Sequence, residues 1–298
     1  MMKTIDVFLC SKPLQYFNVK NISCCRGNLN YLFLLKSFYK ADDFAKKIIK
    51  YDRNWDKIIV SKSLYFLLFR MLFLRIDKLF SWCDTGFIYK IFCFIKRCSF
   101  LIYEEGTGTY VNTIQYSRWS IKRKLQKFAG ITDTIGYSQF TSGSYVYDTD
   151  KYLQKKITYD VFPFKKQFYD FLKESKGLFL KLSYINDEEI FSFRGKKILI
   201  YLTSWTINSY IMSQLKKERN NYDFVFIKPH PHISKMNFEN YDFKVIKTNL
   251  MVEFILEILI CNNNKVTCYH EGTSAVLYFE NNLTQFKYDN RLNRLIRC

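Results

Sequence analysis

The sequence predicts an α/β protein built from two Rossmann-like halves. Short apolar runs rich in β-branched and aromatic residues, each bounded by turn residues, alternate along the chain with longer helical patterns. Such alternation is typical of parallel sheets that helices cover on both faces. Four strand candidates come early and four come late, with a long mixed segment (111–195) between them. We therefore expect one domain over residues 1–175 and another over residues 176–298.

The elements follow from this pattern in chain order. The predicted strands span residues 5–10, 30–35, 57–61, 99–104, 197–203, 224–229, 243–247 and 265–270. The predicted helices span residues 33–50, 63–80, 166–176, 205–218 and 250–260. Ligands of open parallel sheets bind beyond the carboxyl ends of the strands. The residues that directly follow each strand are therefore the candidates for function.

Charge sets the class of partner. The chain of 298 residues is 48% hydrophobic, which is enough for a core, and carries 46 Lys and Arg against 27 Asp and Glu, a net charge of +19. Such a field favours anionic partners such as phosphate-bearing substrates, nucleic acid or an acidic membrane face. The basic residues are scattered, with one dense cluster at 118–127, and no nucleic-acid motif occurs. The net charge makes a non-catalytic nucleic-acid-binding protein one alternative. Because the cations are scattered and no motif occurs, we do not expect a nucleic-acid partner.

Cysteine usage and hydropathy indicate a cytoplasmic protein. Nine cysteines occur without a CxxC motif, and the N-terminus has too short an apolar run for a signal peptide. The longest apolar stretch, residues 64–74, is interrupted by Arg70 and is shorter than the roughly 20 residues that span a bilayer. We expect a buried helix there. In the alternative, the helix presses one face on lipid with Arg70, Arg75 and Lys78 at head-group level.

The first informative strand end is EEGTGT (residues 104–109), which follows the apolar run SFLIY. A carboxylate at this position, beside glycines that let a ligand approach the backbone, can accept a proton from a substrate hydroxyl. An isolated Glu-Glu-Gly triplet is more often a solvated turn.

The second strand end reads Lys228-Pro229-His230-Pro231-His232. Prolines on both sides stiffen the backbone at His230, whose imidazole can donate to an anionic leaving group, while Lys228 adds fixed positive charge. Two alternatives are a plain structural loop and a metal site formed by His230, His232 and His270.

The third strand end is Gly272-Thr273-Ser274, directly before a helical pattern. Glycine, free backbone N–H groups and hydroxyls at such a turn can seat a phosphate on a helix N-terminus. Thr273 or Ser274 can equally act as an ordinary N-cap, and the two roles use the same groups.

These acidic, His-Pro and Ser/Thr strand ends, in that order, resemble the motif set of bacterial sialyltransferases. The opening FLCSKPLQYFNVKN (residues 8–21) is similar to the TPLQ-type start of glycosyltransferase family 52, the lipooligosaccharide sialyltransferases. The resemblance spans most of the chain. It implies two Rossmann-like domains that face each other across a cleft (GT-B type), an acceptor domain first and a CMP-sugar-binding domain second.

The resemblance also implies roles for individual residues. Glu105, the acid directly before Gly106, would be the base that takes the proton from the acceptor hydroxyl. His230 would contact and protonate the departing CMP phosphate, and Ser274 with Thr273 would bind that phosphate. Related enzymes use an acid in the intervening region to hold the cytidine ribose, and Glu253 and Glu257 both fit this position. The chain departs from commoner family versions in having Glu instead of Asp as base and a single serine.

The expected function is therefore an inverting, metal-independent sialyltransferase without a cofactor. It would move sialic acid from CMP-sialic acid to a hydroxyl of a bacterial surface glycan: lipooligosaccharide, O-antigen or a capsule precursor. The alternative within the same fold is a transferase that uses another donor, such as CMP-Kdo. The basic surface would hold the enzyme near acidic lipid on the inner face of the inner membrane, where lipid-linked acceptors reside.

Overall fold

The computed structural model describes residues 3–22, 28–185, 188–203, 207, 209–230, 243–270, 273, 275–279 and 285–287. The chain forms two compact units. The first comprises Met1–Ser37 and Ala45–Phe171, and the second comprises Phe38–Phe44 and Leu172–Cys298. The assignment of the acceptor to one unit and of the CMP-sugar to the other stays a prediction, as does the cleft between them.

The first unit contains a sheet of seven parallel strands in the order β3-β2-β1-β4-β5-β6-β7. The strands are β1 (Ile5–Cys10), β2 (Leu29–Leu35), β3 (Lys57–Ser61), β4 (Ile76–Ser81), β5 (Ser99–Tyr103), β6 (Gly143–Val146) and β7 (Asp160–Pro163). The helices in this part of the chain are α1 (Pro13–Ile22), α2 (Ala41–Tyr51), α3 (Leu64–Met71), α4 (Phe87–Lys96), α5 (Ser120–Phe128) and α6 (Thr149–Leu153). The first four residues of α2 belong to the second unit.

The second unit contains a sheet of five parallel strands in the order β10-β9-β8-β11-β12. The strands are β8 (Lys197–Leu202), β9 (Phe224–Lys228), β10 (Lys244–Val245), β11 (Lys265–His270) and β12 (Gln285–Lys287). The helices are α7 (Phe168–Leu182), in which the units meet along the chain, α8 (Ser209–Glu218), α9 (Val252–Cys261) and α10 (Val276–Phe279). The α/β class with two Rossmann-like parallel sheets is confirmed.

Both sheets reverse their strand order once, as Rossmann-like sheets do. In the first sheet the strands run outward from β1 to β3, and the chain then returns to place β4 on the other side of β1. In the second sheet the same reversal lies between β8 and β11. These two reversal points are where a ligand crevice forms at the carboxyl edge of each sheet.

Four strands, β4, β6, β7 and β12, were not expected from the sequence, and two predicted helices differ in extent. The predicted helix over 63–80 is wrong in its second half, because α3 ends at Met71 and β4 follows at Ile76–Ser81. Apolar residues (Leu72–Leu74) continue between the two elements, so hydrophobic periodicity does not mark the break. The segment 111–195, expected to join two complete sheets, supplies β6 and β7 to the first sheet. The helix predicted over 33–50 begins only at Ala41, because residues 33–35 belong to β2.

Helix α3 combines the two interpretations that the sequence left open. Leu67, Leu68 and Met71 pack in the core of the first unit, whereas Tyr65 and Phe69 are exposed. Within the part of the chain that the structure describes, no helix has the length and apolarity needed to cross a bilayer.

Candidate active site

The SKPLQ segment (residues 11–15) connects β1 to α1 and builds one wall of the candidate site. Proline is favoured in the first helical turn, where its missing N–H has no partner to lose, and Pro13 begins α1. Gln15 Oε1 accepts hydrogen bonds from the backbone N–H (2.5 Å) and the hydroxyl (2.9 Å) of Ser11. These two bonds fix the amide of Gln15 and point its NH₂ group away from Ser11.

Glu105, the predicted base, accepts a hydrogen bond from this amide. Its Oε1 accepts hydrogen bonds from Lys12 Nζ (2.5 Å) and Gln15 Nε2 (3.0 Å). The Glu105 side chain is 19% exposed and that of Lys12 is 28% exposed. Among the described residues, none donates a hydrogen bond to Glu105 Oε2. The carboxylate is therefore held through one oxygen while the other stays available to a ligand.

The contact between Lys12 and Glu105 spans the reversal point of the first sheet. Lys12 follows β1 and Glu105 follows β5, and β4 lies between these two strands. Cys83, just after β4, has its pKa raised to about 12, first by burial and next by the negative charge of Glu105. Side chains that follow three neighbouring strands thus meet where such sheets bind ligands.

Glu104, the adjacent carboxylate, has a different environment. It is fully buried and its Oε2 accepts hydrogen bonds from the Tyr110 hydroxyl and from the backbone N–H of Tyr147 (2.9 Å). Successive side chains at a strand end point in opposite directions, so one acid faces the interior and the other the crevice. Glu104 stabilises the loops around the site, and Glu105 is the acid available for chemistry.

Gly106 permits the turn that separates Glu105 from the following segment. Its φ is +118° and its ψ is −150°, a region that residues with a Cβ essentially do not adopt. A 3₁₀ turn over Thr107–Tyr110 follows, and Thr109 Oγ1 accepts the backbone N–H of Glu105 (2.9 Å). The EEGTGT stretch is therefore a fixed turn whose shape depends on its first glycine.

Three amides on α1 were missed by sequence reasoning. Besides Gln15, Asn18 donates to the Glu104 carbonyl (2.6 Å), and Asn21 donates to the Lys166 carbonyl (2.8 Å). All three are buried. Their spacing of three places them along one side of the helix. That spacing, within the segment already compared with family 52, was the signal that could have identified them.

In the second unit, the His-Pro segment is attached to the neighbouring strand end. The backbone N–H of His230 donates to Thr203 Oγ1 (2.9 Å), and the backbone N–H of Thr203 donates to the Lys228 carbonyl (3.2 Å). Thr203 follows β8, and the last residue of β11, His270, is paired with Leu202 of β8. The half-buried His230 therefore lies at the carboxyl edge of the second sheet, near its reversal point.

Lys228, expected from the sequence to add positive charge beside His230, is buried. It is 6% exposed, and its Nζ donates to the Pro229 carbonyl (3.2 Å). Burial lowers its pKa to about 8, although the charge of Glu253 acts in the opposite direction. Its charge therefore depends on pH close to neutrality, because desolvation penalises the ammonium form. A role for Lys228 in donor binding stays a prediction.

The two acids considered for the ribose differ in environment. Glu253 lies in the first turn of α9, where burial raises its pKa to about 7 against the opposing effect of Lys228. Glu257 lies one turn further along and accepts a hydrogen bond from Cys261 Sγ (3.1 Å). Only Glu253 therefore interacts with the strand end that carries the His-Pro segment.

The Ser/Thr motif is described in part. Thr273 is half-buried, and its Oγ1 accepts the backbone N–H of Ala275 (3.4 Å), a turn that precedes α10. Gly272, Ser274 and His232 lie outside the described residues. Within the described residues, no three His, Cys, Asp or Glu side chains are grouped so that they could hold a metal ion. The donor-binding roles of Gly272, Thr273 and Ser274 stay predictions.

Comparisons with known proteins add little to this site. No protein-family model matches the chain, and no curated protein matches it. Among solved structures, the chain is similar to the wall teichoic acid polymerase TagF, with 11% sequence identity and a TM-score of 0.49. The match covers 92% of this chain and 66% of that chain. At this level of similarity the activity of the polymerase does not transfer to this chain.

Proposed function

We propose that the chain is a glycosyltransferase, and more narrowly an inverting, metal-independent sialyltransferase. It would transfer sialic acid from CMP-sialic acid to a hydroxyl of a bacterial surface glycan whose precursor is lipid-linked. The transfer reaction would take place in the cytoplasm, at the inner face of the inner membrane. Glu105 would serve as base and His230 as the group that assists the leaving phosphate.

One observation carries the proposal. The SKPLQ segment and the EEG segment, which the resemblance singled out independently, are in contact through Lys12, Gln15 and Glu105. They lie 90 or more positions apart in the sequence, yet they share the crevice at the reversal point of a Rossmann-like sheet. A solvated turn, the ordinary interpretation of Glu-Glu-Gly, does not account for a half-buried carboxylate held by two side chains from another strand end.

In the proposed reaction, Glu105 takes the proton from the acceptor hydroxyl as its oxygen attacks the anomeric carbon of the donor sugar. The bond between that carbon and the CMP phosphate oxygen breaks through an oxocarbenium-like centre, and the configuration inverts. CMP leaves with the bonding electron pair. The proton on Glu105 then passes to solvent, and the carboxylate is restored.

On the donor side, the leaving phosphate would be stabilised by His230 together with Thr273 and Ser274. The hydrogen bond from the His230 backbone N–H to Thr203 Oγ1 restricts the position of the imidazole. This restriction supports a role for His230 as a positioned group in preference to a residue of a mobile loop. Glu253 is our choice for the ribose, because it interacts with the strand end that carries His230. Glu257 is directed to Cys261 instead.

The test is a donor panel. Purified protein is incubated with CMP-sialic acid, CMP-Kdo, UDP-sugars and GDP-sugars, with and without a galactose-terminated oligosaccharide, in the presence of a chelator. We expect CMP release from CMP-sialic acid that increases with acceptor and persists with chelator. Turnover of CMP-Kdo alone would move the proposal to another donor. Turnover of a UDP- or GDP-sugar with none of a CMP-sugar would overturn it.

A further inference from the structure

Helix α5 turns its apolar side outward. Ile121, Leu125 and Phe128 recur at spacings of four and three, so they form one stripe, and all three are exposed, Phe128 by 93%. Trp119, just before the helix, is 80% exposed. The buried residue is polar: Gln126 accepts the backbone N–H of Ser117 (2.8 Å) and donates to Asp133 (2.5 Å). Packing against its own domain therefore does not explain the amphipathicity of α5.

Helices α3 and α4 also carry exposed apolar side chains on the side opposite their core contacts. On α4, Phe92 and Cys93 are buried, whereas Phe94 is 84% exposed. The exposed apolar residues of these two helices and the residues directly after α3 are Tyr65, Phe66, Phe69, Leu72, Phe73, Ile91, Phe94 and Ile95.

The three helices are neighbours. Lys90 of α4 donates a hydrogen bond to the Ala129 carbonyl at the end of α5. Lys96, at the other end of α4, donates to the Leu72 carbonyl at the end of α3 (2.9 Å). Both contacts lie within the first unit. Helix α4 therefore contacts both α3 and α5, and we call the surface formed by the exposed side chains of the three helices the α3–α5 face.

The helices of the α3–α5 face are basic. The segments 62–76, 86–103 and 115–132, which contain the three helices, hold three, three and five Lys or Arg and no Asp or Glu. Four of these cations, Lys122, Arg123, Lys124 and Lys127, alternate with the exposed apolar residues of α5 and are themselves exposed. The exposed acids Asp77 and Asp133 directly follow two of these segments, so the surface carries an excess of cations at its centre and acids at its border. An apolar surface with such an excess of cations complements an anionic bilayer, in which acyl chains lie beneath negative head groups.

We propose that the α3–α5 face docks on an anionic lipid bilayer. The apolar stripe of α5 and the exposed Phe94 and Phe69 enter the boundary between head groups and acyl chains, and Trp119 lies at head-group level. The lysines and arginines between these side chains contact lipid phosphates. The proposal concerns this surface alone and holds whatever donor the enzyme uses.

Two other occupants fit the face less well. A second copy of the chain would bring an equally cationic face against this one, and like charges repel. Single-stranded nucleic acid binds through cations and aromatic platforms, but many of the exposed groups here are aliphatic, among them Ile91, Ile95, Ile121 and Leu125. Aliphatic side chains cannot stack on bases, whereas they insert readily into lipid.

The experiment is vesicle flotation of the full chain without donor or acceptor. Vesicles of phosphatidylcholine with phosphatidylglycerol are compared with vesicles of phosphatidylcholine alone at low and high salt. We expect binding to the anionic vesicles that weakens with salt. The double variant Leu125→Gln, Phe128→Gln should reduce the affinity about tenfold or more, because it removes exposed apolar groups that would enter the membrane.

A matched control uses two apolar residues of the first unit that are exposed elsewhere. Ile49 of α2 and Leu153 of α6 are 61% and 53% exposed. The variant Ile49→Gln, Leu153→Gln should bind vesicles like the parent. The proposal is overturned if both double variants lose affinity equally, or if the parent does not bind anionic vesicles. In the second case, analytical ultracentrifugation and oligonucleotide binding would show whether a second copy or nucleic acid is the occupant. Donor turnover is measured separately, so failure here is distinct from failure of the proposed activity.

Discussion

Each unit brings a lysine that follows or ends a strand into interaction with a glutamate, and the two pairs behave differently. In the first unit, Lys12 and Glu105 form a direct ion pair (2.5 Å) that is partly exposed. In the second unit, Lys228 and Glu253 are 6% and 4% exposed, and burial moves their pKa values towards neutrality, to about 8 and about 7. The same residue types thus give an oriented carboxylate in one unit and a buried pair sensitive to pH in the other.

Solvent access and contact geometry explain this contrast. Lys12 and Glu105 are partly exposed and contact each other directly, while desolvation penalises the charged forms of Lys228 and Glu253. Only the first pair leaves a carboxylate oxygen accessible to a substrate hydroxyl. We therefore propose that the first pair supplies the base, while in the second pair Glu253 stays the proposed ribose ligand, with a charge that depends on pH.

The largest expected effect tests the first pair. The variant Glu105→Gln keeps the shape of the side chain and removes its basicity. We expect turnover of CMP-sialic acid with acceptor to fall by about 10²-fold to 10⁴-fold, the usual range for general-base catalysis. Affinity for CMP should stay near that of the parent, as measured by calorimetry.

The adjacent acid supplies the control for Glu105. The variant Glu104→Ala removes a buried carboxylate with two hydrogen-bond partners, so we expect the free energy of unfolding to fall by about 3 kcal/mol. Thermal denaturation should show this loss for Glu104→Ala and little change for Glu105→Gln. Parental turnover in Glu105→Gln would show that the base lies elsewhere.

The second effect concerns pH and the second unit. Burial lowers the pKa of His270 to about 4 from its ordinary 6.5. On acidification, His270 is therefore protonated in the unfolded state at a higher pH than in the folded state. The resulting stability is complete above pH 6.5 and is lost as pH falls towards 4. Burial raises the pKa of Glu253 to about 7 from 4.5, so its contribution is present below pH 4.5 and lost as pH rises through 7. Each amounts to about 3 kcal/mol, with opposite signs.

Single substitutions should expose these opposing slopes. Between pH 4.5 and 6.5 the two contributions nearly cancel in the parent. Relative to the parent, His270→Gln should gain stability on acidification and Glu253→Gln should lose it, as measured by urea denaturation at several pH values. If both variants shift the slope in the same direction, burial does not govern these two groups as described.

The smallest effect concerns the orientation of Glu105. The variant Gln15→Met keeps the volume of the side chain and removes its bond to Glu105. We expect kcat to fall about tenfold, since misplacement of a reacting group reduces the rate, with KM for the donor nearly unchanged. The comparison variant is Asn21→Ala on the same helix, which removes hydrogen bonds to the Lys166 backbone and to the Tyr147 hydroxyl. It should lower the melting temperature and spare kcat, and equal kcat losses in both variants would argue against a positioning role for Gln15.

Sequence patterns predicted the fold where an element is apolar and clearly bounded. The strands at Ile5–Cys10, Lys57–Ser61 and Lys265–His270 begin and end as predicted, because turn residues flank each run. Strand β4 was hidden by the apolar run that joins it to α3. Strands β6 and β7 were missed since each has only four residues, too few to show a period.

The sequence by itself determined that strands alternate with helices in two halves of the chain. It also determined that acidic, His-Pro and Ser/Thr segments follow strands. These features depend on local periodicity and composition. Only the tertiary structure decided that Glu105, and not Glu104, meets Lys12 and Gln15, that Lys228 is buried, and that the apolar stripe of α5 points outward. The environment of each of these side chains consists of groups that are distant in the sequence. Strand order and burial bring those groups together, so the residues next to each side chain in the sequence do not reveal its environment.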